Sequence, residues 1–231
     1  MINFLKTAVT VLLSCTVFAC YVSAKYYPDN IDNIYVHRNT DEKTIALTFD
    51  DGPHPHKTEK ILEVLKKYGI KATFFVIGEN ASLSPDVLKK VSDEGHEIGN
   101  HTYDHKSIYK IKSEFLLESI KRCEQTIYDI TGKRPSLFRP PEGYLNDDIA
   151  VSMYRAGYDV ILWRVDTYDW KGRSAEDIFK TVVSTVKCGD IILMHDYISI
   201  PSNTAKALDM IIPALLDKGY KFVTVSELIS Q

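Results

Sequence analysis

Short apolar runs recur along the chain, and amphipathic segments separate them. Each run is rich in β-branched and aromatic residues, which is the composition that buried strands of a parallel sheet require. The runs are TIALTF (44–49), KATFFVI (71–77), HEIGNHT (96–102), SLFRP (136–140), DVILWRV (159–165), DIILMH (190–195) and KFVTV (221–225). The pattern predicts about seven buried strands.

The segments between these runs carry apolar residues at helical spacing. Over residues 57–68, Ile61 and Leu65 fall on one face of the predicted helix. Gly69 follows as a helix stop signal. Further helices are predicted over 84–94, 113–131, 146–156, 174–187 and 203–218. Pro213 is expected to interrupt the last of them.

Strands and helices that alternate with short connections predict an α/β protein with a parallel sheet. About seven such repeats in a chain of this length favour a (β/α) barrel. A doubly wound open sheet is the alternative, but no G-x-G-x-x-G motif follows a strand. In both architectures the catalytic groups lie at the carboxyl ends of the strands, so the residues after each run are the candidates for chemistry.

The composition is typical of one globular domain with a substantial core, since 45% of the 231 residues are hydrophobic and 26% are charged. The formal net charge is −3, which argues against a phosphate backbone as a partner and therefore against nucleic acid. No sequence feature indicates a protein partner, and we expect a monomer.

The chain begins with a segment of different character. Residues 1–24 carry one charge, Lys6, followed by an apolar stretch that ends in Val-Ser-Ala. This arrangement is typical of a secretory signal peptide. An uncleaved membrane anchor and a lipidated cysteine are the alternatives, and all three imply export, to the cell envelope or beyond. Residues 25–39 are a polar lead-in, and residues 40–231 are the predicted globular domain.

Side chains that can do chemistry follow most of the predicted strands. They are Asp50 and Asp51 after the first run, His101 and His105 after the third, Arg139 after the fourth, Asp166, Asp169 and Trp170 after the fifth, and His195 after the sixth. Because parallel strands end at one edge of a sheet, all of these groups are expected at the same edge. A random scatter of polar residues would not give this distribution, so the sequence predicts a functional site there.

Two histidines four residues apart, His101 and His105, are weak evidence for a metal site, since such pairs also occur in surface turns and in cores. A carboxylate from another strand would complete a set of two imidazoles and one carboxylate. That set favours Zn²⁺, with Co²⁺ able to substitute, and leaves a coordination position for water. If Asp51 binds the cation, the adjacent Asp50 stays ionised and can accept a proton.

Five segments together resemble a known family. TFDDGP, HTYDH, RPPEG, DTYDW and LMH, in this order and spacing, are similar to the five motifs of the polysaccharide deacetylases, the NodB-like domain of carbohydrate esterase family 4. The resemblance runs from about residue 40 to the C-terminus. It implies a deformed (β/α) barrel of about seven strands. It also implies metal-dependent removal of N-acetyl groups from an amino-sugar polymer, either peptidoglycan or a chitin-like glycan.

The resemblance also implies a role for each matching residue. Asp51, His101 and His105 would bind one divalent cation, and Asp50 would be the general base, with Arg139 holding its carboxylate. His195 would protonate the leaving amine, with Asp169 raising its pKa. The residues implied to contact substrate are Trp170, Leu193, Pro140, Pro141, Glu142 and Tyr144. The backbone N–H after the proline pair would stabilise the oxyanion.

One position departs from the family pattern, because Glu142 stands where an aromatic residue is common after the two prolines. Tyr144 is then a candidate to supply the missing ring. Two other functions stay open: an O-acetyl esterase acting on xylan or a similar glycan, and a non-catalytic glycan-binding module. The second would predict loss of a ligand or of the base, and neither is lost. We also predict that the His195 and Asp169 side chains approach within about 2.6–3.2 Å.

Overall fold

The computed structural model describes residues 32–110 and 113–231. The predicted signal peptide, residues 1–24, lies outside the described residues and remains a prediction, as do residues 25–31 of the predicted lead-in. The rest of the lead-in is described and contains a short strand, Ile34–Tyr35, which the sequence pattern did not predict. Among the described helices, none combines the length and the apolar character that are needed to cross a bilayer.

The described strands form one sheet in which neighbouring strands run parallel. They are β1 (Ile34–Tyr35), β2 (Thr44–Asp50), β3 (Thr73–Val76), β4 (Glu97–Asn100), β5 (Leu137–Phe138), β6 (Asp159–Ile161), β7 (Val165–Asp166), β8 (Ile191–His195) and β9 (Lys221–Phe222). Their order is β1-β6-β5-β4-β3-β2-β8-β7, and β9 pairs with the start of β2. Every predicted apolar run contains at least one strand, which confirms the predicted parallel α/β class.

Helices connect the strands and pack against the sheet. They are α1 (Lys57–Tyr68), α2 (Gly78–Leu83), α3 (Pro85–Asp93), α4 (Ser113–Thr131), α5 (Asp147–Ala156), α6 (Ala175–Thr185), α7 (Thr204–Asp217) and α8 (Val225–Ile229). The predicted helices correspond to α1 and α3 to α7, and Pro213 lies inside α7 without ending it. The sequence pattern did not predict α2 and α8, because helices of 6 and 5 residues are too short to show helical periodicity.

The sheet curves back on itself between β6 and β7. These two strands come from the single predicted run 159–165, but they lie towards opposite ends of the strand order. Leu162 N–H donates to the Tyr35 carbonyl on β1 at 2.7 Å, and Arg164 N–H donates to the Ile191 carbonyl on β8 at 3.1 Å. Four residues of extended chain reach at most about 14 Å, so the two edges of the sheet must lie close together. The result is the predicted deformed barrel.

The pleat of β2 decides which of its side chains reach the site. Ile45, Leu47 and Phe49 point towards the helices and belong to the large core cluster. Ala46 points the other way, into a smaller apolar cluster at the bottom of the barrel. Because side chains alternate along a strand, Asp50 lies on the same inner face as Ala46, one layer above that cluster. The strand therefore delivers a carboxylate to the top of the barrel interior.

Candidate active site

A cavity of about 840 Å³ lies at the carboxyl ends of the strands, where the sequence predicted a site. Its wall is formed by Asp50, Asp51, His101, His105, Pro140, Glu142, Gly143, Trp163, Asp166, Tyr168, Trp170, Lys171, Arg173, Leu193 and His195. Two more predicted residues, Arg139 and Asp169, are buried beneath this wall. The side chains come from the ends of several different strands, as in other barrels with a site at this face.

The three predicted metal ligands converge on one point. Asp51 Oδ1 lies 3.5 Å from His101 Nε2 and 3.4 Å from His105 Nε2. The ligand atoms of Asp51, His101 and His105 all lie within 4.8 Å of one another. A tetrahedral ion with bonds of about 2.0–2.1 Å requires ligand atoms about 3.3–3.4 Å apart, so the observed spacing fits a single zinc-like cation.

A buried carboxylate oxygen provides a second test of this fit. Asp51 Oδ1, which faces the two imidazoles, is buried and accepts no hydrogen bond within the described residues. Burial would raise the pKa of Asp51, but its interaction with His101, 3.5 Å away, together with the charges of His195 and His105 outweighs burial and lowers that pKa. The side chain is therefore an ionised carboxylate with an unused oxygen, which is the donor that a divalent cation requires.

A backbone contact sets the orientation of the first imidazole. His101 Nδ1–H donates to the Arg139 carbonyl at 2.7 Å, which turns Nε2 towards Asp51. A metal-binding histidine commonly fixes its tautomer in this way. On His105, burial and the charge of His101 lower the imidazole pKa, which favours the neutral form that can bind a cation.

The predicted base is held by a buried ion pair. Arg139 Nη1 donates to Asp50 Oδ1 at 2.7 Å, and the guanidinium is fully buried. Its other N–H groups donate to the Ile161 and Leu162 carbonyls at 3.0 and 3.1 Å. The second carboxylate oxygen, Asp50 Oδ2, lies 3.8 Å from His101 Nε2. Arg139 therefore holds one oxygen of the Asp50 carboxylate and leaves the other directed to the metal site.

The predicted contact between His195 and Asp169 is confirmed, because His195 Nδ1 lies 2.8 Å from Asp169 Oδ1. Asp169 is itself fixed, since its Oδ2 accepts from the His195 backbone N–H at 2.8 Å and from Thr204 Oγ1 at 2.7 Å. Burial lowers the pKa of His195, but the hydrogen bond and charge of Asp169, with further negative charge from Asp50 and Asp51, raise it to about 9. The imidazole is therefore protonated at neutral pH.

The base and the imidazolium stand side by side at the same level of the barrel. Asp50 and His195 are register partners in the β2–β8 pair, each at the end of its strand. The His195 ring uses Nδ1 for Asp169, so Nε2 is the nitrogen that can serve the cavity. One wall thus offers a proton acceptor and a proton donor beside the metal site.

The residues predicted to contact substrate divide into two groups. Pro140, Glu142, Trp170 and Leu193 line the cavity, and Trp170 is 44% exposed. Pro141 and Tyr144 are not part of the cavity wall. Pro141 is buried, and the Tyr144 ring packs edge-on against Tyr109 with centroids 5.0 Å apart. The cavity does have an additional indole, Trp163, so Tyr144 is not needed as the replacement ring that the sequence suggested.

Sequence reasoning missed Trp163 because it read this residue as part of a continuous buried strand. The chain leaves the sheet between β6 and β7, and this break allows the indole to turn into the cavity. The Arg139 guanidinium lies 5.6 Å from the centroid of the Trp163 ring. An aromatic residue inside an apolar run carries no signal that separates this role from core packing.

Strained backbone marks the same site. Non-glycine residues in the left-handed region, described by positive φ, are Asp51, Thr102, His105, Glu142 and Tyr168. Four of them line the cavity, and Thr102 follows the metal-site histidine His101 directly. Left-handed conformations of ordinary residues cost free energy and concentrate at functional sites, where the surrounding structure holds them in place.

Asp196, which sequence reasoning also missed, holds the turn that carries Asp51. Its Oδ1 accepts from the Gly52 N–H at 2.8 Å, and its Oδ2 accepts from Thr58 Oγ1 at 2.6 Å. A Cβ on Gly52 would lie 1.9 Å from Asp196 Oδ2, so only glycine allows this approach. The adjacency of Asp196 to His195 in the sequence was the available signal.

The fold and the site together define an α/β barrel with a candidate mononuclear metal site at the carboxyl ends of its strands. The model of the polysaccharide deacetylase family matches residues 37–161, which is more than half of the chain. The chain therefore belongs to the polysaccharide deacetylase family.

Two curated relatives show how the match extends. A peptidoglycan-N-acetylglucosamine deacetylase of Bacillus cereus is 44% identical over 195 residues, covering 81% of this chain and 89% of the relative. The peptidoglycan-N-acetylglucosamine deacetylase PgdA of Listeria monocytogenes is 38% identical over 210 residues, covering 91% of this chain and 44% of the relative. The chain thus spans less than half the length of PgdA.

Solved structures of two relatives share the fold. One is the Bc1960 peptidoglycan N-acetylglucosamine deacetylase in complex with 4-naphthalen-1-yl-N-oxidanyl-benzamide, with a TM-score of 0.83, 35% identity and coverage of 86% of this chain and 94% of that chain. The other is a family 4 acetyl xylan esterase from Clostridium thermocellum in complex with a cobalt ion. It has a TM-score of 0.75, 34% identity and coverage of 81% of this chain and 90% of that chain.

Proposed function

We propose that this protein is a hydrolase that removes N-acetyl groups from the amino sugars of peptidoglycan and releases acetate. The observation that carries the proposal is the convergence of three groups in one cavity: the Asp51–His101–His105 set, the Asp50–Arg139 pair and the His195–Asp169 pair. The names of the relatives from Bacillus cereus and Listeria monocytogenes support peptidoglycan as the substrate. A substrate in the cell wall agrees with export of the chain, which we also propose.

Asp51, His101 and His105 would hold a divalent cation, which supplies Lewis-acid activation of the acetyl carbonyl and of water. Two imidazoles and one carboxylate favour Zn²⁺, and the cobalt-bound relative supports Co²⁺ as a substitute. Asp50, held in place by Arg139, accepts a proton from the attacking water. His195, charged through its contact with Asp169, gives a proton to the departing amine.

A direct experiment measures acetate release from purified peptidoglycan and from N-acetylglucosamine oligomers after loading with Zn²⁺ or Co²⁺. We expect metal-dependent acetate release that is lost on chelation and restored by adding the cation back. The matched variants are Asp51→Asn, at the metal site, and Asp209→Asn, which changes an exposed carboxylate paired with Lys67. Equal activity of both variants would contradict the proposal.

A second function, hydrolysis of O-acetyl esters on xylan or a similar glycan, is favoured by the similarity to an acetyl xylan esterase. The alcohol of an ester departs without the help of an acid more readily than the amine of an amide does. The same catalytic groups would therefore serve both reactions. Acetate release from acetylxylan, without release from peptidoglycan or N-acetylglucosamine oligomers, would select this function.

A further inference from the structure

Two cationic residues that are close together in the sequence line the cavity. Lys171 ends the short 3₁₀ turn Asp169–Lys171, and Arg173 follows two residues later. Both side chains line the cavity, on the part of the chain that also supplies Asp169 to His195. The wall also carries four carboxylates: Asp50 and Asp51 at the metal site, Asp166 at the end of β7, and Glu142 in the loop that follows β5, whose carboxylate accepts from the Ser107 hydroxyl at 3.3 Å.

Within the described residues, neither cation forms a salt bridge with a carboxylate. The Lys171 ammonium group lies over aromatic rings, and Arg173 Nη1 donates to neutral acceptors, Thr181 Oγ1 at 2.9 Å and the Thr167 carbonyl at 3.5 Å. Asp166 also lines the cavity, but its carboxylate accepts from the Tyr168 N–H at 2.8 Å and forms no salt bridge to either cation. Arg173 Nη2 and Nε therefore remain as donors for a ligand.

The lysine is held in place by two rings. Lys171 Nζ lies 4.7 Å from the ring centroids of both Tyr168 and Trp170, and both rings line the cavity. Contact with aromatic faces restricts a flexible ammonium group and lowers the entropy that a ligand contact would cost. Aromatic faces can also pack against the apolar faces of sugar rings, which places the ammonium group beside a sugar substituent.

We propose that Lys171 and Arg173, beside Tyr168 and Trp170, form a subsite for a carboxylate group of the glycan. This inference rests on the proposed function, and it specifies an acidic glycan as the preferred substrate. In peptidoglycan the carboxylate comes either from the lactyl group of muramic acid or from a peptide attached to it. A carboxylate accepts hydrogen bonds from guanidinium and ammonium groups together, and neutral chitin-like oligomers offer no such group.

The test compares one glycan in several forms. The first is a peptide-free strand of alternating N-acetylglucosamine and N-acetylmuramic acid, and the second is the same strand with its lactyl carboxylates converted to methylamides. The third is an intact strand that retains its peptides, prepared with the peptide carboxylates either free or amidated. The fourth is a neutral N-acetylglucosamine tetramer. Steady-state acetate release gives KM and kcat for each form.

For the unchanged protein we expect KM to be roughly three- to tenfold lower for a carboxylated strand than for its amidated form. In Lys171→Met and Arg173→Met this ratio should fall towards one, and Lys171→Arg should retain it. Lys206→Met, which removes a surface cation paired with Glu176, is the matched control and should keep the ratio. Raising the salt concentration should reduce the preference as well.

The two carboxylate sources give different results. A preference seen with peptide-free strands identifies the lactyl group, whereas a preference seen only with intact strands identifies the peptide, and either supports the subsite. Equal KM values for the carboxylated and amidated forms of both strands would overturn it. An increase in KM for the neutral tetramer as large as that for the carboxylated strands, in both Met variants, would also overturn it. Absence of acetate release from every substrate, the tetramer included, would instead contradict the proposed function.

Discussion

At the scale of single residues, Asp50 is the group whose chemistry and structural role are hardest to separate. It is the proposed base, and it is also the only carboxylate that forms a salt bridge with the fully buried Arg139 within the described residues. Asp50→Asn should lower acetate release by roughly 10²–10⁴-fold, since the amide cannot accept the proton. Acetate assays with metal-loaded protein, and elemental analysis showing that the metal is retained, check this prediction.

The same substitution has a second expected effect. The amide leaves a buried guanidinium without a counter-charge, so the free energy of unfolding should fall by about 3–5 kcal/mol. Chemical denaturation measures this loss, with Asp209→Asn as the control at an exposed ion pair. Near-normal turnover by a folded Asp50→Asn protein would mean that another group is the base.

His195 gives a prediction on pH. An acid must be protonated to act, and the pKa of His195 is about 9, so activity should fall as pH rises through about 9. Asp169→Asn removes the charge that raises this pKa, and the loss of activity on the alkaline side should therefore move to lower pH. Profiles of kcat/KM against pH for the two proteins measure the displacement, since kcat/KM reports the pKa values of the free enzyme. An unchanged alkaline limb would show that His195 is not the group that titrates.

The choice of leaving group tests the same residue independently. His195→Ala should damage cleavage of an acetamide far more than cleavage of an activated acetate ester, whose leaving group needs no proton. Parallel rate measurements on an N-acetylglucosamine oligomer and an aryl acetate make the comparison. Equal losses on both would assign His195 to binding or to structure.

At the scale of elements, the turn between β2 and α1 depends on one buried carboxylate. Asp196→Ala would leave the Gly52 N–H and the Thr58 hydroxyl without their acceptor, at about 1–3 kcal/mol for each buried group. We expect a loss of about 2–5 kcal/mol in the free energy of unfolding and weaker metal binding by Asp51. Denaturation and metal titration check both effects, with Asp209→Ala as the control. A variant with unchanged metal affinity would exclude a positioning role for Asp196.

The elements also show what the sequence could predict. Runs of β-branched and aromatic residues located β2 to β9, since the buried strands of a parallel sheet are largely apolar. They did not locate β1 (Ile34–Tyr35), which lies in the segment predicted as a polar lead-in. The same rule merged β6 and β7, because Leu162 and Trp163 continue the apolar run of β6 and a single charged residue, Arg164, separates them from Val165. It also read Val225 as strand, whereas Thr224 and Glu227 form a capping box that begins α8. Local capping chemistry, which outweighs β-propensity here, was visible in the sequence but was not weighed.

The site was predictable for a different reason. Parallel strands bring their carboxyl ends to one edge, so the residues after each run had to meet, and the contact between His195 and Asp169 followed. Side chains that enter the cavity from within a run, such as Trp163, could not be separated from core residues. The roles of the candidate metal and catalytic residues remain predictions, and the positions of these residues agree with those roles, whereas Pro141 and Tyr144 lie outside the cavity wall.

At the scale of the whole molecule, metal binding should depend on pH and should stabilise the fold. Burial lowers the pKa of His101, but the charges of Asp50 and Asp51 outweigh it and raise that pKa, so a proton competes with the cation for Nε2. Metal affinity should therefore weaken as pH falls through the imidazole range and strengthen as pH rises. Competition with a chromophoric chelator between about pH 5 and 8 measures this trend. An affinity that does not change with pH would argue against imidazole ligands.

The cation should also be stoichiometric. We expect about one equivalent of divalent metal per chain by elemental analysis, as for a single site with three protein ligands. His101→Ala should lose it, and His37→Ala, which changes a histidine outside the cavity wall, should keep it. Metal retained by the His101 variant would place the site elsewhere.

Arg139 makes the orientation of the proposed base depend on cooperative folding of the barrel. Its guanidinium reaches from Asp50 and Thr48 on β2 to the carbonyls of Ile161 and Leu162 at the end of β6, strands that lie far apart in the sheet order. The base is therefore oriented only when both walls of the barrel have assembled around one side chain. A partly unfolded molecule with intact catalysis should not exist, and on heating, activity and global structure should disappear in a single transition.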